Sequence, residues 1–139
     1  MKLVLDTNVA VSGLLWRGNC NLILKQIRDG RHVLLLSDDI IDELKRVLQY
    51  QKFKSRIKRL RSKPEEIIAY YQNLGRFIPV REHLKIRLRD PGDKIFLELA
   101  HYGRPHLIIT GDGHLLQLNT FEKIPIVMPS EALQVFERR

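Results

Sequence analysis

Cysteine is almost absent from this 139-residue sequence, in which Cys20 is the only one. An internal disulfide is therefore excluded, and the composition suits a reducing cytoplasm, where we expect the protein to act. The sequence also lacks the cysteine and histidine spacing that holds zinc. No apolar run approaches the roughly 20 residues that a transmembrane helix requires, so we expect no membrane association.

Acidic residues are fewer than basic ones, 16 against 24, which gives a formal net charge of +8. Such a field attracts polyanions, above all nucleic acid. The imbalance is greatest in KFKSRIKRLRSK, residues 52–63, which contains no acid. This stretch is either a solvated helix face or a phosphate-binding flank. Its candidate nucleic-acid-binding residues are Lys52, Lys54, Arg56, Lys58, Arg59, Arg61 and Lys63.

Apolar runs of strand length alternate with helical patterns along the chain. Strands with continuous apolar sequence are buried on both faces, so the alternation predicts a parallel sheet covered by helices, in one domain over residues 1–139. The predicted strands are Leu3–Leu5, His32–Leu36, Phe77–Val80 (an edge strand, because it contains Pro79), Leu107–Thr110 and Ile124–Met128. The predicted helices cover about Val9–Asp29, Asp38–Gln49, Glu65–Leu74 and Asp93–Tyr102, with short helices after the last two strands.

Two aspartates follow predicted strands. Asp6 ends the strand Leu3–Leu5, and Asp112 follows LIIT in the segment LIITGDGHLL. If the strands are parallel, both residues lie at the carboxyl edge of the sheet, where ligands bind in such folds. Each also has a structural explanation, because Asp6 fits a helix N-cap and Asp112 fits a turn between two glycines.

Two further acids lie on predicted helices. In the helix over Asp38–Gln49 the apolar residues form one stripe; Asp42 lies opposite it and should face water. Glu43 lies at the border of the stripe, where it either reaches a cleft or is an ordinary boundary residue. In RDPGDKIFLELA, Asp90 fits an N-cap followed by proline. Asp93 either completes a capping box or projects into the space above the sheet.

Four successive segments thus each contribute one acid near the same end of the sheet: Asp6, Glu43, Asp93 and Asp112. Two like charges about 4 Å apart repel by about 4 kcal/mol at an effective dielectric constant of 20, and a divalent cation removes that cost. Because oxygen ligands favour hard cations, we predict Mg²⁺ or Mn²⁺ rather than zinc. If Asp6 binds the metal, we expect capping of the next helix to pass to Thr7 or Asn8.

The chain resembles the PIN domain in four motifs that occur in the family's order: LVLDTNV, IIDEL, RDPGDKIFLELA and LIITGDGHLL. The resemblance runs from Met1 to about Pro129 and is closest to VapC-like nucleases, the toxin components of toxin–antitoxin pairs. It implies a three-layer α/β/α sandwich with a central parallel sheet. It also implies Mg²⁺- or Mn²⁺-dependent hydrolysis of single-stranded RNA, a homodimer and an antitoxin partner.

The same resemblance assigns roles to individual residues. The family's catalytic and metal-binding acids fall on Asp6, Glu43, Asp93 and Asp112, and its polar helpers fall on Asn8 and Thr110. Asn8 is expected to hold the Asp6 carboxylate by a hydrogen bond. The chain departs from the family at His114, where a second acid is common, and at Lys94, where Asn or Asp is common. His114 either tunes the site, contacts a phosphate or is a surface helix residue, and we expect the last. Lys94 is expected to add positive charge near the metal, which would lower metal affinity.

Two other functions are compatible with the sequence. One is a housekeeping RNA-processing nuclease without toxicity. The other is a catalytically silent module that binds RNA or protein. In the silent module, residues 52–63 would carry the function and Lys94 would mark a damaged metal site.

Overall fold

The computed structural model describes residues 1–138 as a sheet flanked by helices. The strands are β1 (Lys2–Leu5), β2 (Val33–Leu36), β3 (Gly75–Phe77), β4 (Leu107–Ile109), β5 (Thr120–Phe121) and β6 (Ile124–Val127). The helices are α1 (Thr7–Leu15), α2 (Asn19–Arg28), α3 (Asp38–Leu48), α4 (Gln51–Arg59), α5 (Pro64–Leu74), α6 (Lys94–Gly103), α7 (Gly113–Leu116) and α8 (Pro129–Glu137). A 3-10 turn, Pro91–Asp93, leads into α6.

The sheet has the strand order β3-β2-β1-β4-β6-β5. All strands are parallel except β5, which pairs antiparallel with β6 at one edge. The three central strands, with the apolar sequences KLVL, VLLL and LII, are almost completely buried. This burial on both faces explains their continuous apolar sequence. The predicted three-layer α/β/α sandwich is confirmed.

The helix predicted over Val9–Asp29 is wrong, because two helices occupy this range. A break at Trp16–Gly18 separates α1 from α2, and Gly18 has a φ of 142°, which glycine adopts far more readily than other residues. The two helices pack closely after the break. A Cβ atom at Gly13 would lie 2.8 Å from the carbonyl oxygen of Cys20. The apolar periodicity therefore continues through a break between two helices.

Two strands also differ from the prediction. The edge strand β3 begins at Gly75 and ends at Phe77, so Pro79 follows the strand instead of interrupting it. The short strand β5 was missed. Its tight turn to β6 places Glu122 and Lys123 at φ values of 50° and 68°, and neither residue belongs to the glycine or asparagine signature by which such turns are recognised.

The carboxyl ends of β1, β2 and β4 lie side by side in the sheet. The segments that follow them lead into α1, α3 and α7, and the turn before α6 joins them at this edge. The fold therefore concentrates several chain reversals at one edge, where polar side chains are needed to bind free backbone groups.

Within residues 1–138, no helix is long and apolar enough to cross a bilayer.

Tyr71 provides a test of packing in α5. Its side chain is 1% exposed, and its hydroxyl has no hydrogen-bond partner among residues 1–138. Because an unsatisfied buried hydroxyl is unfavourable, we expect Tyr71→Phe to raise the free energy of unfolding by about 1 kcal/mol in urea denaturation. Tyr70→Phe is the control, since Tyr70 is exposed. This substitution should change the protein's free energy of unfolding by less than ~0.5 kcal/mol. Destabilisation by Tyr71→Phe would contradict this account.

Candidate metal-dependent active site

The four predicted acids converge at the carboxyl edge of the sheet. Asp6 follows β1, Asp112 follows β4, Asp93 ends the 3-10 turn, and Glu43 projects from α3. All four line one cleft of about 320 Å³. The four acids therefore lie at the edge of the sheet where the sequence predicts them.

Asp6 binds the backbone and a neighbouring side chain at the same time. It is 4% exposed, and its Oδ1 accepts a hydrogen bond of 2.8 Å from the backbone N–H of Val9, so Asp6 is the N-cap of α1. The expectation that capping would pass to Thr7 or Asn8 was wrong. A carboxylate has two oxygens with two lone pairs each, so capping leaves acceptor capacity for another ligand.

Thr110 connects the two aspartates that follow strands. It is fully buried, and its hydroxyl donates to Oδ2 of Asp6 while its Oγ1 accepts the N–H of Asp112 at 2.9 Å. Asn8, in contrast, is exposed at the cleft and makes no hydrogen bond to Asp6 within residues 1–138. The contact expected from Asn8 is thus made by Thr110.

Glu43 is oriented by two residues that the sequence analysis missed. The Thr7 hydroxyl donates to Oε2 of Glu43, and the Arg46 guanidinium lies 3.5 Å from its Oε1. The sequence does contain a feature that points to each partner. Thr7 follows Asp6 directly, and Arg46 is one helical turn beyond Glu43. Glu43 is half-buried and Asp42 is exposed, as the helical period predicted. Glu43 therefore faces the cleft with a fixed orientation.

Asp93 and Asp112 form the tightest part of the cluster. Ligand atoms of Asp93, Asp112 and His114 all lie within 4.8 Å of one another. The pKa of Asp93 is raised to about 7, mainly by burial, with further contributions from the charge of Asp112, a hydrogen bond with Asp112, and the charges of Asp90 and Asp6. Without a cation, a proton is therefore retained at Asp93 up to about neutral pH.

Asp6 is shifted in the same direction by the same causes. Burial raises its pKa, the Asp112 charge adds to the rise, and the hydrogen bonds from Thr110 and Val9 oppose it. Burial is the largest cause of both raised pKa values, and the charge of Asp112 adds to it in each case, so the ionised forms of both carboxyls are disfavoured without a nearby positive charge. A bound divalent cation would supply that charge.

The residues at which the chain departs from the family pattern lie in different surroundings. His114 is about half exposed, as expected, but its Nδ1 is 4.0 Å from Oδ1 of Asp112, so it also belongs to the cluster. Lys94 is half-buried and does not line the cleft.

Asp90 accepts the Gly92 N–H at 2.9 Å, which confirms the prediction that Asp90 is a cap. Asp90 also lines the cleft.

The predicted basic residues are distributed over several surfaces. Of the seven predicted residues, only Lys52 lines the acidic cleft. Arg46, which lies outside the predicted stretch, lines it as well. Arg56 is half-buried and donates from Nε to the Leu15 carbonyl at 2.6 Å, which connects α4 to the end of α1. The remaining five lie elsewhere: Lys54, Lys58 and Lys63 line a separate groove, and Arg59 and Arg61 are exposed.

The donor set of the cleft fits a divalent cation. Asp6, Asp93, Asp112 and Glu43 offer carboxylate oxygens, which are the preferred ligands of Mg²⁺ and Mn²⁺, and His114 adds one imidazole that suits Mn²⁺ better than Mg²⁺. The raised pKa of Asp93 also favours an ion, because a cation would stabilise the ionised form of this carboxyl. Ligand atoms of Asp93, Asp112 and His114 already lie within 4.8 Å of one another, close enough to share one ion.

The sheet order, the flanking helices and the acidic cleft define a PIN-like α/β/α domain. The chain belongs to the PIN domain family, whose sequence model matches residues 2–114. In fold it is similar to a chain in the crystal structure of VapBC2 from Rickettsia felis bound to a DNA fragment of the VapBC2 promoter. The match has a TM-score of 0.56 and 13% sequence identity, and it covers 92% of this chain and 98% of that chain. A comparison with curated protein sequences gives no match.

The raised pKa of Asp93 predicts how stability depends on pH. Its pKa is 3.8 before burial and about 7 in the folded protein, so the folded state binds the proton more tightly and metal-free stability falls as pH rises from about 4 to about 7. Asp93→Asn removes this charge. In urea denaturation with EDTA, we expect the variant to be more stable than the wild type by about 2 kcal/mol at pH 8.5, and by much less at pH 4.

The matched control is Asp42→Asn, because Asp42 is an exposed acid on α3. Its effect should stay within ~0.5 kcal/mol at both pH values. An Asp93→Asn variant that is less stable than the wild type at pH 8.5 would contradict the interpretation, as would an equal difference at the two pH values.

Proposed function

We propose that this protein is a metal-dependent endoribonuclease that hydrolyses phosphodiester bonds of single-stranded RNA, acting as a single PIN-like domain over residues 1–139 in the cytoplasm. The observation that carries the proposal is the gathering of four carboxylates in one open cleft, with the pKa of Asp93 raised to about 7. Perturbed acids in a cleft are typical of catalytic sites, whereas a silent binding module has little need for a cluster that repels itself.

In this proposal, Asp6, Asp93 and Asp112 hold one or two Mg²⁺ or Mn²⁺ ions. When bound, the cation lowers the pKa of a water molecule and neutralises charge on the phosphate in the transition state. Thr110 keeps the Asp6 carboxylate pointing towards the cleft. Glu43, oriented by Thr7, accepts the proton of the attacking water as a general base.

Positive side chains at the rim complete the proposed substrate site. Arg46 and Lys52 line the same cleft as the carboxylates, and we propose that they pair with phosphates on either side of the scissile bond. The five basic residues that lie on other surfaces would contribute only long-range attraction to RNA. Phosphate contacts position the strand without reading its sequence.

We further propose that the protein is the toxin of a toxin–antitoxin pair, with an antitoxin protein as partner and a homodimer as its assembly. The support is the shared PIN fold with a chain of the VapBC2 structure. Expression in a bacterial host distinguishes this from a housekeeping nuclease. Growth arrest that Asp6→Asn relieves supports the toxin, and cleavage activity without arrest supports the housekeeping enzyme.

Cleavage of a labelled panel of single-stranded RNAs with Mn²⁺ tests the enzymatic proposal. We expect the wild type to cleave, and Asp6→Asn and Asp93→Asn each to lower the rate by roughly 100-fold or more, because each removes a charge that holds the cation. Asp42→Asn should cleave like the wild type. Full activity of Asp6→Asn or Asp93→Asn would refute the assignment, and RNA retention without cleavage by the wild type would favour the silent module.

A further inference from the structure

Three aromatic side chains form a surface beside the acidic cleft that the proposed chemistry does not use. Trp16 follows α1, Tyr50 precedes α4, and Phe53 lies on the first turn of α4. Trp16 is 42% exposed, Tyr50 is 39% exposed, and Phe53 is half-buried. Tyr50 and Phe53 line the same cleft as the carboxylates. We call Trp16, Tyr50 and Phe53 the aromatic platform.

The three rings contact one another in sequence. The Tyr50 and Phe53 rings are almost parallel, at 10°, with centroids 6.4 Å apart. Trp16 meets Phe53 edge to face at a centroid distance of 6.0 Å. These contacts fix the rings with respect to one another while leaving much of Trp16 and Tyr50 in solvent. A fixed aromatic surface binds a planar ligand with little loss of side-chain freedom.

A cation lies over each ring of the aromatic platform. Arg46 is 5.8 Å from the centroid of Tyr50, Lys52 is 5.1 Å from that of Phe53, and Arg56 is 5.9 Å from that of Trp16. Arg56 is itself held by the Leu15 carbonyl, so it fixes Trp16 in place. Aromatic faces interleaved with cations are the chemistry that binds single-stranded nucleic acid, because bases stack on the rings and phosphates pair with the charges.

The charge distribution favours a nucleic acid over a protein as the occupant. The platform is surrounded by three cations on a chain with a net charge of +8. Arg46 and Lys52 also line the cleft of the carboxylates. A strand that stacks its bases on the platform would therefore lead its phosphates past these cations towards the acids.

We propose that Trp16, Tyr50 and Phe53 form a base-stacking platform that holds unpaired bases of a single-stranded nucleic acid beside the carboxylate cluster. The inference rests on the proposed nuclease function and adds a requirement for the substrate: bases next to the scissile phosphate must be free to stack. Bases inside a duplex cannot meet that requirement, because they are already stacked and paired.

Trp16 is the only tryptophan in the chain, so its fluorescence reports binding to the platform directly. The experiment uses Asp93→Asn protein with EDTA, which prevents cleavage. Four probes of equal length are titrated: single-stranded RNA, single-stranded DNA, the same RNA strand with abasic sites, and duplex RNA. We expect both base-containing single strands to quench the fluorescence, and the abasic strand to bind roughly 5- to 150-fold more weakly, since stacking is lost while charge is kept.

Variants of Tyr50 separate stacking from general attraction. We expect Tyr50→Leu to weaken binding of single-stranded RNA by roughly 5-fold or more and Tyr50→Phe to restore it, because only an aromatic ring can stack. Tyr70→Leu is the control, since Tyr70 is an equally exposed aromatic residue on α5. Tighter binding of single-stranded RNA than of single-stranded DNA would show that contacts to the 2′-hydroxyl contribute to affinity in addition to stacking. Equal affinity for the two strands would assign the binding to the bases.

Equal binding of the abasic and base-containing strands would overturn the inference, as would unchanged affinity in Tyr50→Leu. Quenching by an acidic peptide but by none of the nucleic acids would also overturn it and would assign the platform to a protein partner. The outcomes remain separate from those of the nuclease proposal. RNA cleavage without a change in Trp16 fluorescence refutes the platform alone, and quenching without cleavage by the wild type refutes the nuclease alone.

Discussion

Confinement of several carboxylates in one partly buried cleft at an edge of the sheet is the constraint on which the rest of the site depends. Burial and neighbouring charges raise the pKa of both Asp6 and Asp93, so the folded chain holds these groups in a position that is unfavourable without a cation. The buried strands β1 and β4 provide a rigid base, and Thr110 bridges them through Asp6 and Asp112. The site is therefore preorganised by the core rather than by its own interactions.

The same acids also complete the fold, because each chain reversal at this edge needs an acceptor for free N–H groups. Asp6 caps α1 and Asp112 caps α7, while Asp93 makes no capping hydrogen bond at the start of α6. Substituting a capping acid therefore changes local stability and charge together. Asp93 is the cleaner probe of the cluster, since its removal leaves the helix ends intact.

The sequence predicts those features that depend on local pattern. Strands with continuous apolar sequence and the acids that follow them place Asp6 and Asp112 at one edge, and the helical period places Glu43 at the border of α3. Features that depend on distant contacts were missed, because Thr7 meets Glu43 across 36 residues and Trp16, which follows α1, meets Phe53 on α4. A basic run likewise does not reveal that only Lys52 of the seven reaches the cleft.

Calorimetric titration of the wild type with Mn²⁺ tests most directly whether the carboxylates form one cation site. The account predicts binding at pH 8 and at least ~10-fold weaker binding by Asp93→Asn, because that variant removes a ligand and a charge without removing a helix cap. It also predicts proton release at pH 6, since a proton held at Asp93 must leave before the carboxylate binds metal. Absence of binding at millimolar Mn²⁺, or equal affinity in Asp93→Asn, would contradict it.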